Sequence, residues 1–208
     1  MAALLVNAAP LALSIIADQS QDAIVTRFGY GVILARIPLF LFQAVQAALL
    51  PRLSRLAAGG EMVEFRRGFL RLLVIVTGVG ILGTGAAYVV GPFAIRKLYD
   101  ASLSSRTLTV LALGSVFYMV ALASAQAVIA LRGHWLVAVG WTIGVAVFVV
   151  VTAVSGTDAF RRVELGTLTG SAAAMVSFLV ALRLRLRSGA RPDAGSLFEA
   201  VTDLPVEG

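Results

Sequence analysis

Arg36 sits in a stretch that is otherwise fit for hydrocarbon, "ILARIPLFLFQAVQAALLPRL" at residues 33–53. Pro38 follows two residues later, and the amides Gln43 and Gln46 share the same stretch. A guanidinium stays charged at any accessible pH and presents five donors in a fork that matches carboxylate or phosphate. On a helix, positions seven apart lie within about 20° of each other, so the spacing predicts Arg36 and Gln43 on one face. A central arginine costs about 2.5–3.5 kcal/mol on insertion scales. Two outcomes are open to it. Either it snorkels to the outer headgroups near Tyr30, roughly 9 Å along the helix, or it faces a hydrated cavity and holds an anion there. Pro38 favours the cavity, because it cannot donate to the carbonyl of Leu34 and so loosens the helix beside the charge.

A similar pairing of polar group and proline occurs earlier. Pro10 leaves the carbonyl of Val6 without its helical donor, next to Asn7. Asn7, Ser14 and Asp18 fall on one stripe, as do Thr77, Thr84 and Tyr88, and Ser115 aligns with Gln126 near Tyr118. Asp18 and Asp22 are expected either to couple to protons or sodium, to pair with Arg27 or Arg36, or to be solvated loop residues. Small polar residues also serve helix packing, and the GxxxG pairs Gly140/Gly144 and Gly166/Gly170 are expected to be packing surfaces.

Catalytic groupings are not legible. The one histidine, His134, lies in the tight "RGHW" turn, and no helix interior holds a carboxylate pair, an HExxH or a Ser–His combination. Asp158 and Glu164 flank Arg161 and Arg162, which predicts a surface salt-bridge cluster in an external loop. No enzyme activity, cofactor or metal is expected, and the absence of cysteine excludes disulfides and thiolate metal sites.

The elements that must position these groups are long apolar runs. The chain is 59% hydrophobic and 13% charged, with mean hydropathy +0.94, against about 45–50% and 25% in soluble domains. An integral membrane protein follows, with the lipid bilayer as its first partner. The net charge of +6 is distributed between apolar runs and not along one polar face, which argues for membrane orientation and against nucleic acid. Six runs are expected to be spanning helices, at 1–17, 30–50, 68–90, 107–131, 135–154 and 164–182, since a span needs about 20 apolar residues. The first barely reaches that length and is expected to have a missing or minimal leading end. Strands are excluded by run length and by the lack of alternation. The fold class is all-α, a six-helix membrane bundle over 1–187, with a flexible tail at 188–208 in which Ser196 and Glu199 match a capping box.

Ten arginines fall on one side of such a bundle: Arg52, Arg55, Arg66, Arg67, Arg71, Arg132, Arg183, Arg185, Arg187 and Arg191. Six cations fall on the other: Arg27, Arg96, Lys97, Arg106, Arg161 and Arg162. The positive-inside rule places the first set, and the C-terminus, in the cytoplasm of a cell with this bilayer as its cytoplasmic membrane.

The block "ILARIPLFLFQAVQAALLPRLSRLAAGGEMVEFRRGF" resembles a recurrent element of polysaccharide flippases in the multidrug/oligosaccharidyl-lipid/polysaccharide (MOP) superfamily, close to O-antigen transporters of the cell envelope. In that element an apolar helix (here Leu39–Leu50) ends in proline (Pro51), and a short basic loop precedes the next helix, from Gly68. "GPFAIRKLYD", with the long helix and "ALRGHW" after it, is similar to the following stretch. The resemblance spans about residues 1–185 and corresponds to the C-terminal half of such transporters, which implies either a missing N-terminal half or a second copy. It implies export of a lipid-linked sugar by alternating access, without ATP hydrolysis. Arg36 would hold pyrophosphate or acidic sugar, with Gln43, Asn7 and Gln126 as contacts to sugar hydroxyls. Pro10 and Pro38 would be the kink points, and Asp18 a coupling-ion candidate. A MATE-like drug or cation antiporter on the same scaffold is disfavoured because no acid is placed well inside a helix. A non-transporting scaffold for polysaccharide assembly, acting through its loop and tail, is the third possibility.

Overall fold

A computed structural model describes residues 2–16 and 22–187. Asp18, and the tail with Ser196, Glu199 and Arg191, lie outside the described residues. Within them the chain forms eight α-helices and no strand: α1 (Ala2–Ile16), α2 (Asp22–Ala35), α3 (Ile37–Ala58), α4 (Met62–Val89), α5 (Gly91–Tyr99), α6 (Ser105–Ala130), α7 (His134–Val154) and α8 (Ala159–Arg187). Four of them, α4, α6, α7 and α8, are long and apolar enough to cross a membrane, and α1 is a shorter apolar helix. The composition and these helices fit a membrane-embedded helical protein.

Several boundaries differ from those expected, for one reason: hydropathy marks where lipid would end, and a helix can continue past it. The basic segment after Pro51 was expected to be a loop. It is helical, because Leu, Arg, Ala, Met and Glu are good helix formers, and the α3–α4 turn shrinks to residues 59–61. Gly60, at φ +73°, takes the left-handed conformation this turn requires. Likewise α8 begins five residues earlier and ends five later than the apolar run 164–182. The short helix α5, expected as a connecting segment, follows α4 after Val90 alone, whose carbonyl accepts from Ala94 N–H at 2.9 Å.

The expected helix 30–50 is two helices meeting at Arg36. The Arg36 N–H donates to both Val32 and Ile33 carbonyls at 3.1 Å, and Leu39 N–H already bonds the Arg36 carbonyl at 2.9 Å. Pro38, in the first turn of α3, has no N–H for the ladder.

The central helix is α6, buried on most of its circumference. Its Gly114, Ala121, Ala123 and Ser124 let neighbours approach closely. The expected glycine packing surfaces are present between α7 and α8. A methyl on Gly170 would stand 2.8 Å from the Gly144 carbonyl, and one on Gly166 would stand 3.1 Å from the Phe148 carbonyl. Below them Trp141 bridges Tyr118 and Phe178, with ring centroids 5.6 and 4.9 Å apart. The loop acids behave differently from expectation. Asp158 accepts from the N–H groups of Phe160 and Arg161 at 2.9 and 3.4 Å, capping α8. Arg162 donates to the Thr152 and Ala153 carbonyls at the end of α7. Backbone termini thus take the charges that were expected to pair with each other, consistent with the opposite polarity of the two helix ends.

The arginine-rich connections converge on one end of the bundle. Arg66 of α4 donates to the Leu186 carbonyl of α8 at 3.3 Å, and Arg185 donates to the Arg132 carbonyl in the α6–α7 turn at 3.4 Å.

Candidate functional site

The seam between α2 and α3 is where the sequence placed its least comfortable charge. Arg36 is half-buried there, and its guanidinium is turned across to α1. Nη1 donates to Asn7 Oδ1 at 3.3 Å. Nη2 donates to the carbonyl of Val6. That carbonyl is the one Pro10 deprives of its helical donor, so the cation of one broken helix satisfies the open backbone acceptor of another. Asn7 completes the arrangement by donating from Nδ2 to the Ala3 carbonyl at 2.9 Å. A buried carbonyl without a donor costs about 1–3 kcal/mol, and an isolated cation costs more. Bringing the two together removes the first penalty and offsets part of the second, since a neutral carbonyl solvates the cation without neutralising it.

Around the guanidinium stem lies a cavity of about 30 Å³, lined by residues of α1, α2, α3, α6 and α8, room for about two waters at 10–15 Å³ each. Ser115 and Tyr118 enter it from α6, Thr167 and Ser171 from α8. Tyr118 Oη donates to the Ala2 carbonyl at 3.3 Å, tying α6 to the start of α1. Ser115 Oγ and Thr167 Oγ1 donate to their own helices, to Leu111 and Val163 carbonyls at 3.1 and 2.7 Å. Their lone pairs remain available as acceptors, so the cavity combines one cation with several hydroxyl acceptors.

Of the residues expected from sequence, the structure joins Arg36 with Asn7 and sets Pro10 one turn beyond Val6. Gln43 is exposed on α3 and does not line the cavity. Its alignment with Arg36 assumed one continuous helix, and the interruption at Arg36 removes that assumption. Gln126 is half-buried on α6 but also outside the cavity, eleven residues and roughly 16 Å along the axis from Ser115. Pro38 packs beside Gly83 of α4, where an added methyl would meet its Cγ at 2.7 Å. Ser14 is exposed and bonds the Leu11 carbonyl at 2.8 Å.

Two groups went unrecognised in the sequence. Thr167 lies inside the GxxxG motif Gly166/Gly170, whose spacing points to packing, and Ser171 directly follows it. Glu164 was assigned to a loop, yet it lies inside α8 with 4% of its surface exposed. Glu164, Thr167 and Ser171, spaced i, i+3, i+7, share one face of α8. That periodicity is the signal which, carried across the expected loop boundary, would have found them. Comparison with family models, curated proteins and solved structures finds no match to this chain.

Proposed function

We propose that this chain is a membrane transporter, a flippase that moves lipid-linked oligosaccharide or polysaccharide precursors across the cytoplasmic membrane by alternating access. It would act as one bundle of a two-bundle assembly, the other being an N-terminal half or a second copy. In this proposal α1 and the α2–α3 pair complete six spans, and the arginine-rich end and C-terminus are cytoplasmic. The observation that carries it is the half-buried Arg36 guanidinium, turned across to α1 and held at broken backbone by an acceptor that Pro10 leaves open. Irregular backbone at membrane depth is tolerated where it lines a cavity or is buried in protein, and transporters place binding sites there.

The small cavity corresponds to a closed state. Phosphate oxygens make shorter and stronger hydrogen bonds to guanidinium than a neutral carbonyl does. An arriving pyrophosphate therefore replaces the Val6 carbonyl and frees α1 to move, coupling substrate binding to helix motion. Hydroxyls of Ser115 and Thr167 accept from sugar hydroxyls, while the lipid tail stays in the bilayer. In the full-length assembly, Arg36→Ala is expected to abolish export and Arg36→Lys to retain part of it. Surface polysaccharide and accumulated undecaprenyl-linked sugar are the readouts. Normal export by Arg36→Ala at normal protein level refutes the proposal.

Glu164 gives the drug or cation antiporter a specific observation in its favour, because a buried carboxylate inside a helix is what a cationic substrate or coupling ion needs. Efflux of cationic dyes separates the two: dye efflux lost in Glu164→Gln, with polysaccharide export unchanged in Glu164→Gln and in Arg36→Ala, selects the antiporter.

A further inference from the structure

A second cavity lies at the arginine-rich end, between the last turns of α3 and the first turns of α4, with a volume of about 390 Å³. Arg52, Arg67 and Arg71 line it, together with Glu61 and Glu64. The two carboxylates stand at the start of α4, where they oppose the positive helix terminus. None of these five groups forms an ion pair with another among the described residues. Three guanidiniums against two carboxylates leave one positive charge uncompensated.

The face of α4 leading away from this cavity has a distinct shape. Arg71, Ile75, Gly78, Leu82 and Gly85 repeat at i, i+4, i+7, i+11 and i+14, which places them on one side of the helix. Ile75 lines the cavity and is 44% exposed, and Leu82 is 75% exposed. Nothing stands within 4 Å of a methyl built on Gly78 or Gly85. A shallow apolar channel therefore runs from the Arg71 guanidinium for roughly 16–21 Å along the helix.

We propose that this cavity and channel bind a membrane phospholipid. The phosphodiester sits among Arg52, Arg67 and Arg71, and one acyl chain lies over Ile75, Gly78 and Leu82. A phosphodiester carries the single negative charge that balances the cavity. Basic pockets at the membrane boundary of helical bundles are suited to lipid headgroups. The site is independent of Arg36 and of what the chain transports.

Native mass spectrometry of the purified full chain, released from detergent with added phosphatidylglycerol, tests it. Diacylglycerol with the same acyl chains supplies a probe without phosphate, and glycerol phosphate one without chains. Phosphatidylglycerol should bind well above both. Arg67→Gln/Arg71→Gln should weaken it by roughly tenfold to thirtyfold, whereas Arg183→Gln/Arg187→Gln, which removes the same charge but touches no bound phosphate, should change it by less than about threefold. Gly78→Leu fills the channel in open space without touching a guanidinium, and should weaken phosphatidylglycerol but leave glycerol phosphate unchanged. Circular dichroism checks that each variant remains helical. Equal losses in both arginine pairs would reduce the effect to diffuse surface charge and overturn the site. Glycerol phosphate binding as tightly as phosphatidylglycerol makes the ligand a soluble phosphate, and phosphatidylglycerol unaffected by Gly78→Leu removes the channel; either result overturns the lipid proposal.

Discussion

Arg36 has two possible duties, holding α1 through the Val6 carbonyl and holding a substrate anion, and Pro10 offers a way to separate them. In Arg36→Ala the Val6 carbonyl loses its guanidinium donor, and Pro10 supplies no N–H in its place. An orphaned acceptor costs about 1–3 kcal/mol in proteins generally, while interhelical hydrogen bonds in membranes average about 0.6 and reach about 1.7. The donor here is charged, so a loss of about 1.5 kcal/mol from this contact is expected. Pro10→Ala restores an N–H that can reach Val6 within the helix. In that background the same Arg36→Ala change should be cheaper by about 1–2 kcal/mol, a factor of about 5 to 30 in the folded-to-unfolded ratio. Unfolding by sodium dodecyl sulfate in mixed micelles, monitored by circular dichroism across the four proteins of the cycle, measures this coupling. Additivity within about 0.5 kcal/mol would show that the guanidinium does not serve the Val6 carbonyl. Export in the same four variants then assigns the second duty. The double variant should regain stability without regaining export; if it regains both, Arg36 is only a staple between helices and the substrate role fails.

Gly170→Ala sets a methyl 2.8 Å from a backbone carbonyl of α7, so the helices must separate, at a cost of about 1–3 kcal/mol. Gly85→Ala meets nothing within 4 Å and should leave unfolding in the same micelles unchanged, or raise stability by up to about 1 kcal/mol. Equal effects from the two would show that α7–α8 packing tolerates the bulk. Alkaline phosphatase fused after Gly60 should be inactive and after Gly156 active, because the first turn lies at the arginine-rich end and the second at the opposite one. The reverse pattern would invert the proposed orientation.

Membrane class was legible in the sequence because it depends on summed transfer free energies, which composition and run length give directly. The glycine surfaces of α7 and α8 were legible too, since a four-residue repeat places small residues on one helix face whatever the neighbours are. Helix ends were less so: the segment after Pro51 and the start of α8 are helical beyond their apolar limits, and this misplaced Glu164 in a loop. The candidate site was visible only in part. Pro10 alone requires that the Val6 carbonyl lack a helical donor, and Arg36 alone requires a polar partner in an apolar setting. That each answers the other, across 30 residues of chain, depends on how α1 packs against the seam of α2 and α3. Gln43 illustrates the converse, since a face computed for one continuous helix has no meaning once the ladder is interrupted. Sequence determines which groups carry an unmet hydrogen-bonding or charge requirement, because that is a property of each residue and its near neighbours. Which requirements cancel is decided by tertiary packing, because the distances between helices are set by the whole core and by no local rule.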